Sequence, residues 1–224
     1  MTSAKAAACA LVAATLFQAA SVSAAEGGKL SVGASVGTLG ISPEVGYRFN
    51  RAFGLRANGG FLDYDRTEDI DDIEYDGTLK LKSVGVLADV YPFGGSFRVS
   101  AGLRSNDNRV NLLVDEGSIN VGEDDEPYTQ SEFGTLRGSV GFKKMAPTLT
   151  LGWGGKLKSG FTFGFEAGVM MQGSPRVALT SEGGSLSSDP LFLARLEEER
   201  AQAQDDADDF KLWPILQLHI KYRF

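Results

Sequence analysis

Apolar and polar residues alternate with a period of two along most of this chain, the mark of strands with one oily face and one wet face. The longest run is the last. Reading back from the end, Phe224, Tyr222, Ile220, Leu218, Leu216, Pro214, Leu212 and Phe210 share one face. Arg223, Lys221, His219, Gln217, Ile215, Trp213 and Lys211 share the other, which is mostly polar. Seven earlier segments repeat the pattern, at 30–37, 44–49, 53–61, 83–90, 97–104, 148–153 and 161–169. Such runs approach the roughly 10 residues that a tilted strand needs to cross a bilayer. Helical periodicity begins only after Asp189, an N-cap candidate followed by Pro190 and by helix formers over 191–204. Phe192, Leu196 and Ala203 give that helix a modest apolar side.

The connections sort by length. Those at 49–53, 91–97 and 153–161 are short and flanked by aromatics, as is the C-terminus with Tyr222 and Phe224. Aromatics at alternate strand ends predict an interfacial girdle on one side of a membrane. The connections at 66–76, 115–130 and 180–209 are long and acidic, and only the outer connection at 38–42 is short. Short turns on one side and long loops on the other is the arrangement of an outer-membrane barrel. The expected fold is therefore all-β, a transmembrane antiparallel up-and-down β-barrel of eight strands with one short helix in the last extracellular loop. Ten strands is the alternative, because 132–153 is long for one strand; Pro147 predicts a bulge within it.

The first 25 residues belong to a different pattern. Lys5, an alanine-rich apolar run and the small residues Ser21 to Ala25 predict a cleaved secretory signal at 1–25, cut after Ala24 or Ala25. The barrel domain is then 26–224. Cys9, the only cysteine, leaves with the signal, so the mature chain has no disulfide and no thiolate site. The formal net charge of −7 becomes one unit more negative without Lys5, which argues against a nucleic-acid partner.

Strand parity places Glu44, Arg48, Arg56, Asp89, Arg98, Arg104, Glu166, His219 and Lys221 on the wet faces, together with Asn58, Gln172 and Gln217. Eight strands enclose a space that side chains can fill, and charges of both signs inside it should pair. Two readings follow: a plugged barrel with a structural or interaction role, or a narrow porin-like channel for small solutes or ions, using room left by lumenal glycines and serines. No enzymatic activity is expected, since His219 is the only histidine and points inward toward the periplasmic half. No cofactor is expected. Asp69, Asp71, Asp72 and Glu74 are weak candidates for a divalent cation, set against a solvated acidic surface.

The last strand resembles the C-terminal strand of bacterial outer-membrane barrels, through Leu218, Ile220, Tyr222 and Phe224. That resemblance implies a signal read by the barrel-assembly machinery. The runs 146–154 and 168–175, with Lys221-Tyr222-Arg223-Phe224, resemble a family of proteobacterial outer-membrane barrel proteins, small and OmpA-, OmpX- or OmpW-like, of largely unassigned function. The resemblance implies an integral outer-membrane location, with outer-membrane lipid and lipopolysaccharide as neighbours. It implies nothing about oligomeric state.

Overall fold

The computed structural model describes residues 29–70, 73–121, 126–154 and 159–224. The expected signal at 1–25 lies outside them. In chain order the strands are β1 (Lys29–Gly37), β2 (Gly40–Arg48), β3 (Phe53–Ile70), β4 (Ile73–Val90), β5 (Phe97–Asn106), β6 (Arg109–Val114), β7 (Ser118–Val121), β8 (Glu126–Thr129), β9 (Gly134–Gly141), β10 (Met145–Trp153), β11 (Gly160–Met171), β12 (Arg176–Gly183) and β13 (Leu212–Arg223). Two helices, α1 (Gln130–Phe133) and α2 (Pro190–Ala207), lie among them.

Eight of these strands close a ring in the order β1, β2, β3, β4, β5, β10, β11, β13. Every pairing is antiparallel, and β13 returns to β1 with Ser31 opposite Arg223 and Gly37 opposite Gln217. The ring is inside-out relative to a soluble protein. Phe163 is 75% exposed on its outer surface, while the inward Arg98 and Arg104 are each 1% exposed. Such a surface suits hydrocarbon, where a closed barrel pairs every backbone group internally. No helix among the described residues is long and apolar enough to cross a membrane. Around the short-turn end, aromatic rings touch in sequence, Phe97 with Trp153 at 5.1 Å, Phe161 with Tyr222 at 5.0 Å and Tyr222 with Phe224 at 5.0 Å. Tyr91, expected in this girdle, instead turns inward and is buried.

β3 and β4 run on beyond the barrel, where the alternation changes phase. Along β3 the outward residues Phe53, Leu55, Ala57 and Phe61 give way to Asp63 and Asp65, while the opposite face becomes Leu62 and Tyr64. On β4 the outward Val90, Ala88, Val86 and Val84 give way to Lys82 and Lys80, opposite Leu81 and Leu79. The two switches fall at the same height, since Phe61 pairs with Lys82 and Leu62 with Leu81. Below that level the inner face is polar and the outer face apolar; above it the relation reverses. The reversal marks the end of the apolar outer band and the start of a sheet whose outward face is polar.

That upper sheet runs β3, β4, β6, β9, β12. β6 continues β5 along the same edge of β4, with Ser83 opposite Asn106 and Lys80 opposite Arg109. β9 and β10 likewise follow one another along β6 and β5, which explains the length of 132–153 without a tenth barrel strand. Pro147 makes no bulge: it pairs in register with Leu103, and the ladder to β11 begins one residue later at Thr148. The acidic stretch 66–76 is not a loop either. Thr67 to Ile70 pair with Ile73 to Asp76 as a continuing hairpin.

The remaining long connections fold over the inner face of this sheet. Val114, Ile119, Val121, Tyr128, Phe133, Phe192 and Leu196 form a core separate from the barrel, with Leu136, Leu179 and Leu186 against it. α2 begins as its sequence predicts: Asp189 accepts from the Leu191 and Phe192 amides at 2.9 and 3.1 Å, with Pro190 at its first turn. It buries Phe192 and Leu196, the Phe192 ring 4.9 Å from that of Tyr128. The helix is thus neither a bare surface helix nor a cap on the barrel mouth but a wall of a folded lobe beyond the barrel.

Candidate functional site

Each wet-face position alternates with an outward apolar one, so the strand pleat alone delivers a ring of polar side chains to the barrel axis. At its centre Arg56 contacts three carboxylates. Its Nε donates to Asp89 at 2.9 Å and its Nη1 to Glu44 at 3.1 Å. Glu166 accepts a bidentate pair from Nη1 and Nη2, each at 2.6 Å. Glu166 also accepts from Arg98 at 2.5 Å, and Glu44 is ion-paired to Lys221. Asp89, Glu44 and Glu166 are thus matched by Arg56, Arg98 and Lys221, a balance that burial demands. Thr150 accepts from Arg56 Nη2 at 3.2 Å.

The other inward residues from the sequence lie around this hub rather than in it. Arg104 uses neutral partners, Ser83 at 3.1 Å and Asn58 at 2.5 Å. Arg48 sits at the short-turn end, its guanidinium 3.5 Å from the centre of the Tyr91 ring. It donates to the carbonyls of Asn50, Arg51, Gly94 and Gly95, which ties the β2–β3 turn to the β4–β5 turn. His219 is buried beside Gly164, whose Cβ, if present, would lie 2.5 Å from Nε2.

The lumenal glycines are not spare room. A Cβ at Gly152 would come 2.8 Å from Cζ of Arg98, and one at Gly85 would come 3.0 Å from Cζ of Arg104. Each long side chain lies across a glycine on a neighbouring strand, the large-against-small fit that fills a narrow barrel. A cavity of about 20 Å³ remains among Glu44, Arg48, Arg56, Tyr91, Arg98 and Lys221, space for one or two waters.

The outer end of the lumen carries a second feature that parity did not single out. Leu39, Ala146, Met170 and Ile215 form an apolar cluster with Trp213 packed against it. The β1–β2 turn leans into it: Trp213 Nε1 donates to the Thr38 carbonyl at 3.2 Å, and Thr38 Oγ1 accepts from the Leu216 amide at 3.0 Å. The signal was in the sequence. Alternation fails at Val169-Met170-Met171 and again over 212–216, both at the outer end of their strands.

Leu218 and Ile220 of the C-terminal signal face outward and are exposed, and Tyr222 and Phe224 join the girdle. Of the metal candidates, Asp71 and Asp72 lie outside the described residues, and Asp69 pairs across the hairpin with Glu74. Among the described residues no His, Cys, Asp or Glu cluster is arranged to hold a metal.

Fold and lumen together define a small closed eight-stranded β-barrel with a side-chain-filled interior and a folded lobe on its long-strand side. No family model matches the sequence, and no curated protein matches it. Among solved structures the chain is similar to CarO2 of Acinetobacter baumannii, at 20% identity and a TM-score of 0.59, over 88% of this chain and 98% of that one. It is similar also to CarO of Acinetobacter baumannii, at 22% identity and a TM-score of 0.56, over 87% and 97%. At these identities the likeness is one of fold.

Proposed function

We propose that this chain is an integral outer-membrane barrel that is closed to solutes and serves as an anchor for its extracellular lobe, a structural or interaction role. The observation that carries the reading is a lumen closed at two levels: the balanced network around Arg56, and the apolar cluster of Leu39, Ala146, Met170 and Ile215 beyond it. The exposed aromatic girdle and the outward face of Leu218 and Ile220 support the outer-membrane assignment. His219 acts as a lumen filler against Gly154 and Gly164, and we assign no catalysis to it.

The test is single-channel recording of the refolded mature chain in a planar bilayer, with heat-modifiable gel mobility as the check on folding. Folded protein is expected to be silent. Steady, ion-selective openings from folded protein would replace this reading with that of a narrow channel.

A further inference from the structure

The cations of this acidic protein are unevenly placed. Around the phase switch stand Lys80, Lys82, Arg109 and Arg176 on the outward face of β4, β6 and β12, with Lys143 and Lys144 in the β9–β10 connection, all exposed. The register sets Lys80 opposite Arg109, Arg109 opposite Gly141, and Gly141 opposite Arg176. A Cβ at Gly141 would meet nothing within 4 Å, so the row is open between its two arginines. A cleft of about 370 Å³ lies there, lined by Asn106, Asp107, Arg109, Lys144 and Arg176 among others, within the roughly 300–1,000 Å³ of small-ligand sites. Two carboxylates stand beside these cations: Asp107, 3.0 Å from Arg109, and Asp63, opposite Lys80 in the register.

Height decides the partner. Immediately below the cleft on the same strands lie the outward Leu103, Met145 and Val84 of the lipid-facing band. The cleft therefore sits where the headgroups of the outer leaflet sit. We propose that it binds a phosphate of the outer leaflet's anionic glycolipid, lipopolysaccharide, with Arg109, Arg176 and Lys144 as charge-assisted donors. The proposal rests on the outer-membrane reading above.

The refolded mature chain, checked by heat-modifiable mobility, is placed in phosphatidylcholine nanodiscs with either bisphosphorylated or dephosphorylated lipid A, and retained lipid is read by native mass spectrometry. The bisphosphorylated form should be retained on the order of tenfold better. The combined R109Q, R176Q and K144Q variant should lose that preference and keep its mobility shift. Gly141→Leu, which fills the cleft without altering charge, should lose it too and serves where the triple variant does not fold. Equal retention of both lipids, or an undiminished preference in Gly141→Leu, would overturn the proposal. So would displacement of lipid A by an equal concentration of inorganic phosphate, which would make the ligand a free anion. Absence of the mobility shift in the parent chain would instead strike at the membrane reading itself.

Discussion

Arg56 shows what a single residue contributes to this lumen. Its three carboxylate partners do not depend on it equally: Glu44 keeps Lys221 and Glu166 keeps Arg98, while Asp89 has Arg56 alone among its ion pairs. Removing one partner of a buried pair costs about 3–5 kcal/mol, because the other charge is stranded. Arg56→Met should therefore lower the urea midpoint of the barrel in lipid vesicles, with Asp89→Asn on top recovering part of the loss. No recovery would show that Asp89 is not the stranded group. Gly152→Leu should act on the same network from outside it. Its side chain would occupy the place of the Arg98 guanidinium, 2.8 Å from a Cβ at that position, and overpacking of this kind costs about 1–3 kcal/mol or more. An unchanged urea midpoint would mean that Arg98 has another resting place. Parity in the sequence was enough to bring Glu44, Arg56, Asp89, Arg98, Glu166 and Lys221 inward. Which charge meets which depends on the stagger between strands distant in sequence, and Arg56 and Glu166 are brought together only by ring closure. The glycines were legible as residues but not as beds for arginine, since that fit needs the neighbouring strand.

Among the elements, the eight barrel strands were legible because each keeps one phase over most of its course through the barrel. The lobe was not, because β3 and β4 cross two environments and their alternation inverts on the way. Read one window at a time, the inversion looks like the end of a strand, and the charged residues beyond it like a loop. α2 was legible from Asp189 and Pro190, whereas its burial depended on a core assembled from β6, β7, β8, α1 and α2. Phe192→Ala should cost about 3–5 kcal/mol, confined to the lobe. Limited proteolysis should then cut within 107–144 or 176–211 while the barrel keeps its heat-modifiable shift. Loss of the shift would mean that lobe and barrel unfold as one. The turn into α1 adds a pH dependence. The Glu132 carboxylate accepts from the Thr129 amide at 2.8 Å and from its hydroxyl at 2.7 Å, and these bonds hold its pKa below the ordinary glutamate value. A lowered folded pKa means that the contribution is complete above the unfolded pKa and is lost as pH falls through the folded one. The Thr129 amide resonance should titrate with a midpoint below the ordinary glutamate range, and Glu132→Gln should abolish the titration. A midpoint at or above that range would remove the two hydrogen bonds as its cause.

For the whole molecule, the order of the two closures matters more than either alone. Glu166, in the charge network, and Met170, in the apolar cluster, both point inward from β11, four positions apart, about 13 Å along the axis of the strand at roughly 3.3 Å per residue. Any ion crossing the barrel meets both, so they act in series. The network resists by geometry and by paired charge, and the cluster by excluding water from a narrow apolar neck. Resistances in series are set by whichever remains, so opening one should leave the barrel closed. Arg56→Met alone should stay silent in a planar bilayer. So should Leu39→Ala with Met170→Ala, which empties the cluster and leaves the ion pairs intact. Current is expected only when the three substitutions are combined, and only if the protein still shows its mobility shift. Openings from Arg56→Met alone would show that the apolar cluster is no seal, and that the charged network by itself holds the lumen shut.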